Sequence, residues 1–119
     1  MKNLTKAAQA LSDETRIRIL NLIMQRECCV CEVMQALNIS QTRASRNLKI
    51  LYDAGFLSMR NDGLFTLYSL KSKNNKDVHR YLFNAIGESL KKNPIALKDL
   101  KRLDKAKRVG LKSTSKMVM

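Results

Sequence analysis

The chain has 119 residues, of which 45% are hydrophobic, with one proline and four glycines. This length limits it to one modest domain, and the composition suits a globular, mostly helical protein and not a disordered one. Its 23 basic residues against 10 acidic ones give a formal charge of +13, which favours a polyanionic partner, chiefly nucleic acid or an anionic membrane surface.

The basic charge is concentrated towards the C-terminus. From Lys91 to Met119 there are ten Lys and Arg against two Asp, so this part carries +8 of the total. Such a segment can simply aid solubility, but non-specific contact with phosphates is a better use of it, because each phosphate neutralised releases counterions. We therefore expect residues 1–92 to form the principal domain and residues 93–119 to form a basic helix and tail.

The sequence indicates neither secretion nor membrane insertion. No apolar run approaches the ~20 residues that cross a bilayer, and no signal peptide is recognisable. Three clustered cysteines, an odd number, do not suit the disulfide framework of a secreted protein. We expect a cytoplasmic protein, where thiols stay reduced.

Helical periodicity accounts for the first half of the chain. Apolar residues recur every three or four positions and predict a first helix ending near Ser12 and a second over about 13–25. A third, short helix is predicted around residues 33–37. Ser40 is placed to cap a fourth helix, which Gly55 ends as a left-handed C-terminal residue.

The period changes after this fourth helix. Residues 56–60 and 64–70 are strand-like runs, and the intervening Asn61-Asp62-Gly63 is a strong hairpin signal. A helix is then predicted over roughly 75–92, followed by a further basic helix over 95–108. The predicted protein is mainly α with a small β-hairpin.

Helix, short turn, helix and hairpin, in that order, are typical of a winged helix-turn-helix. In this motif the second helix enters the major groove of DNA and presents its N-terminal side chains to the base edges. Amide and guanidinium groups can bind bases, and hydroxyls or Lys can hold phosphates. The residues on the predicted exposed face are Gln41, Thr42, Arg43, Ser45, Arg46 and Lys49.

Three segments, LSDETRIRIL, ISQTRASRNLKILYDAGFL and NDGLFTLYSL, together resemble the ArsR/SmtB family of winged-helix repressors over roughly residues 4–90. The family's recognition helix follows S-Q-x-x-x-S-x-H-L-x-x-L. The matching residues are Ser40, Gln41, Ser45, Leu48 and Leu51. Asn47 stands where His is commonest; Asn can still donate to a phosphate or base, so the resemblance implies DNA binding with an altered operator preference.

The resemblance also implies a homodimer. Family members pair through their first and last core helices, here about Leu4–Leu11 and Val78–Leu90. A long apolar stripe on so small a domain agrees with this, because another surface must bury it. A two-fold dimer would bind a pseudo-palindromic operator, with Arg60 and Asn61 of the wing reaching the flanking minor groove or backbone.

Three cysteines lie within four residues, and the segment that holds them, Glu27–Val33, resembles the E-L-C-V-C-D-L box of arsenic-responsive ArsR repressors. By that match Cys29 and Cys31 take the two cysteines of the box. Some of those proteins have a third cysteine where this chain has Met34. Cys28, in the Leu position of the box, is the only substitute that the chain offers.

Thiolates select soft ions, and three sulfurs without a nearby His do not make the closed tetrahedral set of structural zinc. As(III) or Sb(III) fits the three-sulfur count better, and no catalytic cofactor is expected. The zinc site that this family has on its dimer helix is not expected, because His79 and Asp77 would supply only half of it. Leu90 and Asn93 stand at the other two positions.

Helical geometry predicts a switch at the cysteines. Residues 29 and 31 diverge by about 200° on a helix, so their sulfurs could share one ion only if the first turn of the third helix unwound or began later. A helix N-terminus also lowers thiol pKa values and so favours the binding thiolate. We therefore expect the unliganded dimer to hold its operator and arsenite to weaken that binding.

The cysteines also fit two different roles. They could be packing residues, because free Cys is often buried, or they could sense oxidants or persulfides. The protein could also be a basic architectural DNA-binding protein without an effector. A thiol-exchange enzyme would require C-x-x-C in a βαβ setting; the chain has C-C-x-C without that setting, so we expect no enzyme.

Overall fold

A computed structural model of the chain describes residues 1–71 and 78–109. Within these ranges the helices are α1 (Lys2–Ala10), α2 (Glu14–Gln25), α3 (Val30–Leu37), α4 (Gln41–Asp53), α5 (Val78–Leu90) and α6 (Pro94–Lys105). The strands are β1 (Cys28–Cys29), β2 (Leu57–Asp62) and β3 (Phe65–Leu70). The predicted winged helix-turn-helix is confirmed, with α3 and α4 as the helix pair and β2–β3 as the wing.

The helix ends follow local capping chemistry. The Asp13 carboxylate accepts the backbone N–H of Arg16 at 3.2 Å, and the Ser40 hydroxyl accepts that of Arg43 at 3.2 Å. These contacts satisfy donors that a helix start leaves unpaired. Gly55 follows α4 with φ of +88°, as predicted for a residue that ends a helix in the left-handed region.

The sheet has three antiparallel strands in the order β1-β3-β2. The wing hairpin is longer than the sequence predicted, because Asp62 still pairs with Phe65. Its tip is therefore Gly63–Leu64, and Gly63 supplies the positive φ that a two-residue turn requires. Strand β1 was not predicted at all; Cys28 pairs with Tyr68 and Cys29 with Leu67.

The core is centred on α3, which lies between α4, α6 and the sheet. Its apolar side chains are almost completely buried with those of the inner faces of α2 and α4. From α3 these are Val33, Met34, Ala36 and Leu37. The short connection to α4 includes Asn38, which ends α3 in the left-handed conformation that Asn tolerates.

Helix α6 is part of this core, although the sequence placed it beyond a boundary at residue 92. Its Asp99 is fully buried, and its carboxylate accepts two hydrogen bonds from the Arg18 guanidinium of α2, both with N–O distances of 2.8 Å. Arg102 also donates to Asp99 at 3.1 Å and to the backbone oxygen of Ala36 in α3 at 2.7 Å. This buried carboxylate therefore joins α6 to α2 and α3.

The remaining predicted helices are present with small shifts at their ends. Pro94 occupies the first turn of α6, where its missing N–H costs no hydrogen bond, and Asn93 caps that turn. The predicted start of α5 near Asn75 lies outside the described residues, as does the chain from Gly110 onwards. No helix within the described part of the chain is long and apolar enough to cross a membrane.

Candidate nucleic-acid interface and cysteine site

The outer face of α4 carries most of the predicted DNA contacts. Thr42, Arg43, Arg46 and Lys49 are exposed, and Gln41 and Ser45 are half-buried at the same end of the helix. Two of the cations already have protein partners. Arg43 donates to the hydroxyl of Thr15 at 3.1 Å, and Lys49 contacts Asp53 at 3.1 Å.

Ser40 and Asn47 differ from this exposed set. The Ser40 hydroxyl is engaged as the cap of α4, although the residue is exposed. Asn47 is only 8% exposed; its amide donates to the backbone oxygen of Arg43 at 2.9 Å and accepts from Arg16 at 3.2 Å. In this structure Asn47 therefore joins α4 to α2 and does not present its amide to solvent.

The wing presents Arg60 and Asn61 on its exposed strand β2. The Arg60 guanidinium makes two hydrogen bonds to the carboxylate of Glu27, at 2.7 and 2.9 Å. This contact lowers the pKa of Glu27 below its usual value. Asn61 accepts the hydroxyl of Thr66 across the hairpin at 3.3 Å. The wing is thus tied to the residue that directly precedes the cysteines.

Cys29 and Cys31 are brought together, and a disulfide joins them. Cys29 is the extended N-cap of α3, and Cys31 lies in its first turn. The sequence required the first turn of α3 either to unwind or to begin later before the two sulfurs could meet, and the structure has the second arrangement, because α3 begins at Val30 and Cys29 is not helical. The angular divergence of 29 and 31 applies only when both residues are inside a helix.

Cys28 does not join this pair. Successive residues of a strand point to opposite faces, so Cys28 packs in the main core while its neighbour faces Cys31. Its thiol donates to the backbone oxygen of Arg26 at 3.4 Å. Burial raises the pKa of Cys28 to about 12, so the expected lowering by a helix N-terminus does not hold for this residue. Three sulfurs around one ion are not what this conformation offers.

The buried Glu32 organises the start of α3. One carboxylate oxygen accepts the backbone N–H of Cys29 at 2.9 Å and the side chain of Arg108 at 3.1 Å. The other oxygen accepts from Arg26 at 2.6 Å. Two guanidinium partners make burial of this charge tolerable. Glu32 thus links the backbone of Cys29 to Arg26, which precedes it in the chain, and to Arg108, which follows α6. The sequence did not predict this role.

A cavity of about 90 Å³ opens beside the cysteine pair. Besides Cys29 and Cys31, its lining residues are Val30, Leu64, Phe65, Thr66 and Val109. The walls are mainly apolar, and after reduction of the disulfide the two sulfurs would be thiolate donors suited to a soft ion. Among the described residues no group of three or more His, Cys, Asp or Glu side chains is arranged to hold a metal.

His79 has structural partners instead. Its Nε2 contacts the backbone oxygen of Ala54 at 2.7 Å, and its ring meets Phe56 edge to face with centroids 4.6 Å apart. Asp77, the other half of the zinc site considered from the sequence, lies outside the described residues. His79 packs α5 against the end of α4.

The fold and its exposed basic helix define a winged helix-turn-helix regulator. Residues 13–58 match the family described as bacterial regulatory protein, arsR family. The chain is 40% identical over 96 residues to the arsenic resistance transcriptional regulator ArsR2 of Pseudomonas putida, which covers 77% of this chain and 84% of that protein. This chain therefore belongs to the arsR family, whose members are regulators and not enzymes.

Another relative is named for resistance to a different metal, and a solved structure shares the fold. The chain is 32% identical over 77 residues to a cadmium resistance regulatory protein CadC homologue of Staphylococcus aureus, covering 64% of each. Its fold resembles the homodimeric winged helix-turn-helix DNA-binding domain of a possible ArsR-family regulator from Mycobacterium bovis, with TM-score 0.65 and 24% identity over 78% of this chain and 82% of that one. The likeness to the Mycobacterium bovis domain concerns the fold alone.

Proposed function

We propose that the chain is a metalloid-responsive transcriptional repressor. Its unliganded homodimer binds operator DNA in the cytoplasm and releases it when As(III) or Sb(III) binds Cys29 and Cys31. The observation that carries this proposal is the juxtaposition of the two sulfurs at the start of α3. Similarity to arsenic resistance regulators of Pseudomonas putida supports the choice of effector.

DNA is bound through α4 and the wing. The exposed Thr42, Arg46 and Lys49 are the first candidates for base and phosphate contacts, with Gln41, Arg43 and Ser45 beside them. Arg60 and Asn61 would reach the flanking DNA from the wing. Ser40 and Asn47 act differently in this proposal, since both hold α4 in place through their hydrogen bonds.

The dimer forms through α1 and α5. Both helices leave large apolar side chains in solvent, with Leu4 52% and Tyr81 62% exposed. Burying these side chains against a second copy would remove that surface from water. The similar fold from Mycobacterium bovis is described as homodimeric, which supports dimerisation but names no interface.

The effector binds by ligand exchange at arsenic. The disulfide is first reduced by two equivalents of a cellular thiol, which together supply two electrons and two protons and become joined as a disulfide. Arsenous acid, As(OH)3, then exchanges two hydroxyls for two cysteine sulfurs. Two S–As bonds form, two As–O bonds break, and each thiol proton leaves with a hydroxide as water. Arsenic keeps its oxidation state and one non-cysteine ligand.

The cysteine pair lies between the two DNA-binding elements. Cys29 pairs with Leu67 of the wing strand β3, whereas Cys31 is on α3, and only residues 38–40 separate α3 from α4. A change in the spacing of the two sulfurs therefore acts on the wing and on the helix pair together. We expect arsenic binding to alter the angle between these elements and so to weaken operator binding.

A thiol redox sensor is the second candidate, because the observed disulfide is itself what an oxidant would produce. In that case oxidation, and not arsenic, would release the operator. The two functions use the same residues but respond to different reagents.

The deciding experiment is an operator-binding titration on the protein reduced with a phosphine, because dithiols would chelate arsenic. Arsenite should weaken operator binding at least tenfold, which corresponds to a coupling free energy of about 1.4 kcal/mol. Cys29→Ser and Cys31→Ser should each abolish the response while binding the operator normally.

The matched control is Cys28→Ser, which should keep the arsenite response. Unchanged operator affinity at saturating arsenite would overturn the proposal. Release by peroxide, with no response to arsenite, would favour the redox sensor.

A further inference from the structure

The chain that follows α6 lies over the cysteine pair. After Lys105 the backbone becomes extended at Ala106, and Val109 packs against Cys29, Cys31 and the wing residue Leu67. Residues 106–109, called the cover segment below, therefore supply one wall of the cavity beside the sulfurs. Sequence reasoning assigned this part of the chain to a basic helix and tail.

Two side chains of α3 hold the cover segment. The Gln35 amide bonds both main-chain groups of Lys107: it accepts the N–H at 3.0 Å and donates to the carbonyl at 2.6 Å. The same amide nitrogen donates to the carbonyl of Cys31 at 2.9 Å. The second contact is between Arg108 and the Glu32 oxygen that also accepts the N–H of Cys29. Both attachments therefore also touch the backbone of the cysteine pair.

The size of the cavity limits what can occupy it. A cavity of about 90 Å³ is smaller than the enclosed apolar cavity of about 150 Å³ that holds benzene. An arsenic bound by two cysteines keeps a third ligand, and Cys28 on the opposite face of β1 does not supply it. A hydroxyl on that arsenic would fit beside the sulfurs. Because the cavity is open on one side, a phenyl group would require one wall to move only where it is held against the sulfurs.

The walls of the cavity are not equally movable. Phe65 and Thr66 belong to strand β3, which is fixed by its pairing with β2, whereas Leu64 lies at the exposed tip of the hairpin. Val109 belongs to the cover segment, which is fixed to α3 mainly through the side chains of Gln35 and Glu32. Apart from the exposed tip residue Leu64, the wall that yields first is therefore the one that carries Val109.

We propose that Val109 is a specificity-determining residue of the thiophile site, held by Gln35 and Glu32 as a wall that admits inorganic As(III) and hinders arsenicals with a large apolar substituent. This inference rests on the proposed function, since it takes Cys29 and Cys31 as the effector ligands. It adds a size limit and the residues that set it. Phenylarsine oxide reacts in the same way as arsenite: two S–As bonds form, and the arsenic-bound oxygen and the two thiol protons leave as water.

The test compares the binding of arsenite and phenylarsine oxide to the reduced full chain, followed by the ultraviolet absorbance of the S–As bonds. In Val109→Ala the binding rate of phenylarsine oxide should rise about tenfold, because the shorter side chain leaves room for the phenyl group without movement of the cover segment. The binding rate of arsenite should change less than twofold. Gln35→Ala removes the two hydrogen bonds to Lys107 and should also raise the binding rate of phenylarsine oxide about tenfold. A general loss of stability would change both rates alike and leave their ratio unaltered.

Two variants serve as controls. Gln25→Ala removes an exposed amide at the end of α2, and Leu97→Ala truncates an exposed apolar residue of α6; both should leave the ratio of rates unchanged. If both arsenicals bind and Val109→Ala and Gln35→Ala leave the ratio unchanged, the size limit is wrong while the proposed function stands. If neither arsenical binds the reduced wild-type chain, the proposed function fails and the inference fails with it.

Discussion

Helices α3 and α4 are consecutive, yet their surroundings are opposite. Six of the eight residues of α3 are buried, including the charged Glu32, and it is held by α4, α6 and the sheet. Only four of the thirteen residues of α4 are buried, all on one face. A mostly buried helix cannot move without disturbing its neighbours, whereas a helix with a free face can change its outer side chains without disturbing the fold.

This difference assigns separate tasks to the two helices. The buried contacts of α3 fix the geometry of the cysteine pair and carry a change there to the rest of the domain. The exposed face of α4 is available for DNA. Substitutions around α3 should therefore alter stability or thiol chemistry, and substitutions on the outer face of α4 should alter operator binding alone.

The largest expected effect concerns Cys28, just before α3. Because burial raises its pKa to about 12 from the ordinary 9.0, its thiolate fraction near neutral pH should fall about a thousandfold. In the double variant Cys29→Ser/Cys31→Ser, alkylation of Cys28 should accordingly be about a thousandfold slower in the folded protein than in denaturant. The measurement is the pH dependence of alkylation, whose folded rate should keep rising above pH 9. Equal rates in both states would show that Cys28 is not enclosed.

The next effect tests how α6 holds α3. Asp99→Ala leaves Arg18 and Arg102 without their shared buried carboxylate and should lower the free energy of unfolding by about 3 kcal/mol. Thermal or urea unfolding measures this. Asp104→Ala, at an exposed position of the same helix, is the matched control and should change stability by no more than about 0.5 kcal/mol. A similar small loss in both variants would mean that α6 contributes little to the core.

The smallest effect separates the two faces of α4. Arg46→Ala should weaken operator binding about tenfold without changing the unfolding midpoint, because Arg46 is exposed. Asn47→Ala, the neighbouring buried residue, should instead cost about 1 kcal/mol of stability through its two lost hydrogen bonds. Lys98→Ala removes the same charge as Arg46→Ala from an exposed position on α6 and should leave affinity almost unchanged. Equal losses of affinity in the Lys98 and Arg46 variants would indicate a net-charge effect only.

Features set by neighbouring residues were predictable from the sequence. Asp13 and Ser40 are caps because a short polar side chain precedes each apolar period, and Gly55 ends α4 because it can adopt a positive φ. The spacing of apolar residues also predicted which faces of α2 and α4 are buried. The family resemblance then predicted which elements bind DNA and which cysteines form the box.

Features set by distant residues were not predictable in this way. Strand β1 exists because Cys28 and Cys29 pair with residues about forty positions later, which no local pattern records. That pairing is also what separates Cys28 from Cys29 and Cys31. The burial of Asp99 depends likewise on Arg18, 81 positions away. One of two acidic residues in a basic segment, Asp99 gave no sign of such a partner.

The packing of His79 on Gly55 gives the molecule a geometric constraint. A methyl group at Gly55 would lie 3.0 Å from the His79 ring, whose Nε2 contacts Ala54 at the end of α4. In the proposed dimer, α5 forms the interface between the two copies. His79 is then one of the contacts that join the interface helix α5 to the end of the DNA-binding helix α4.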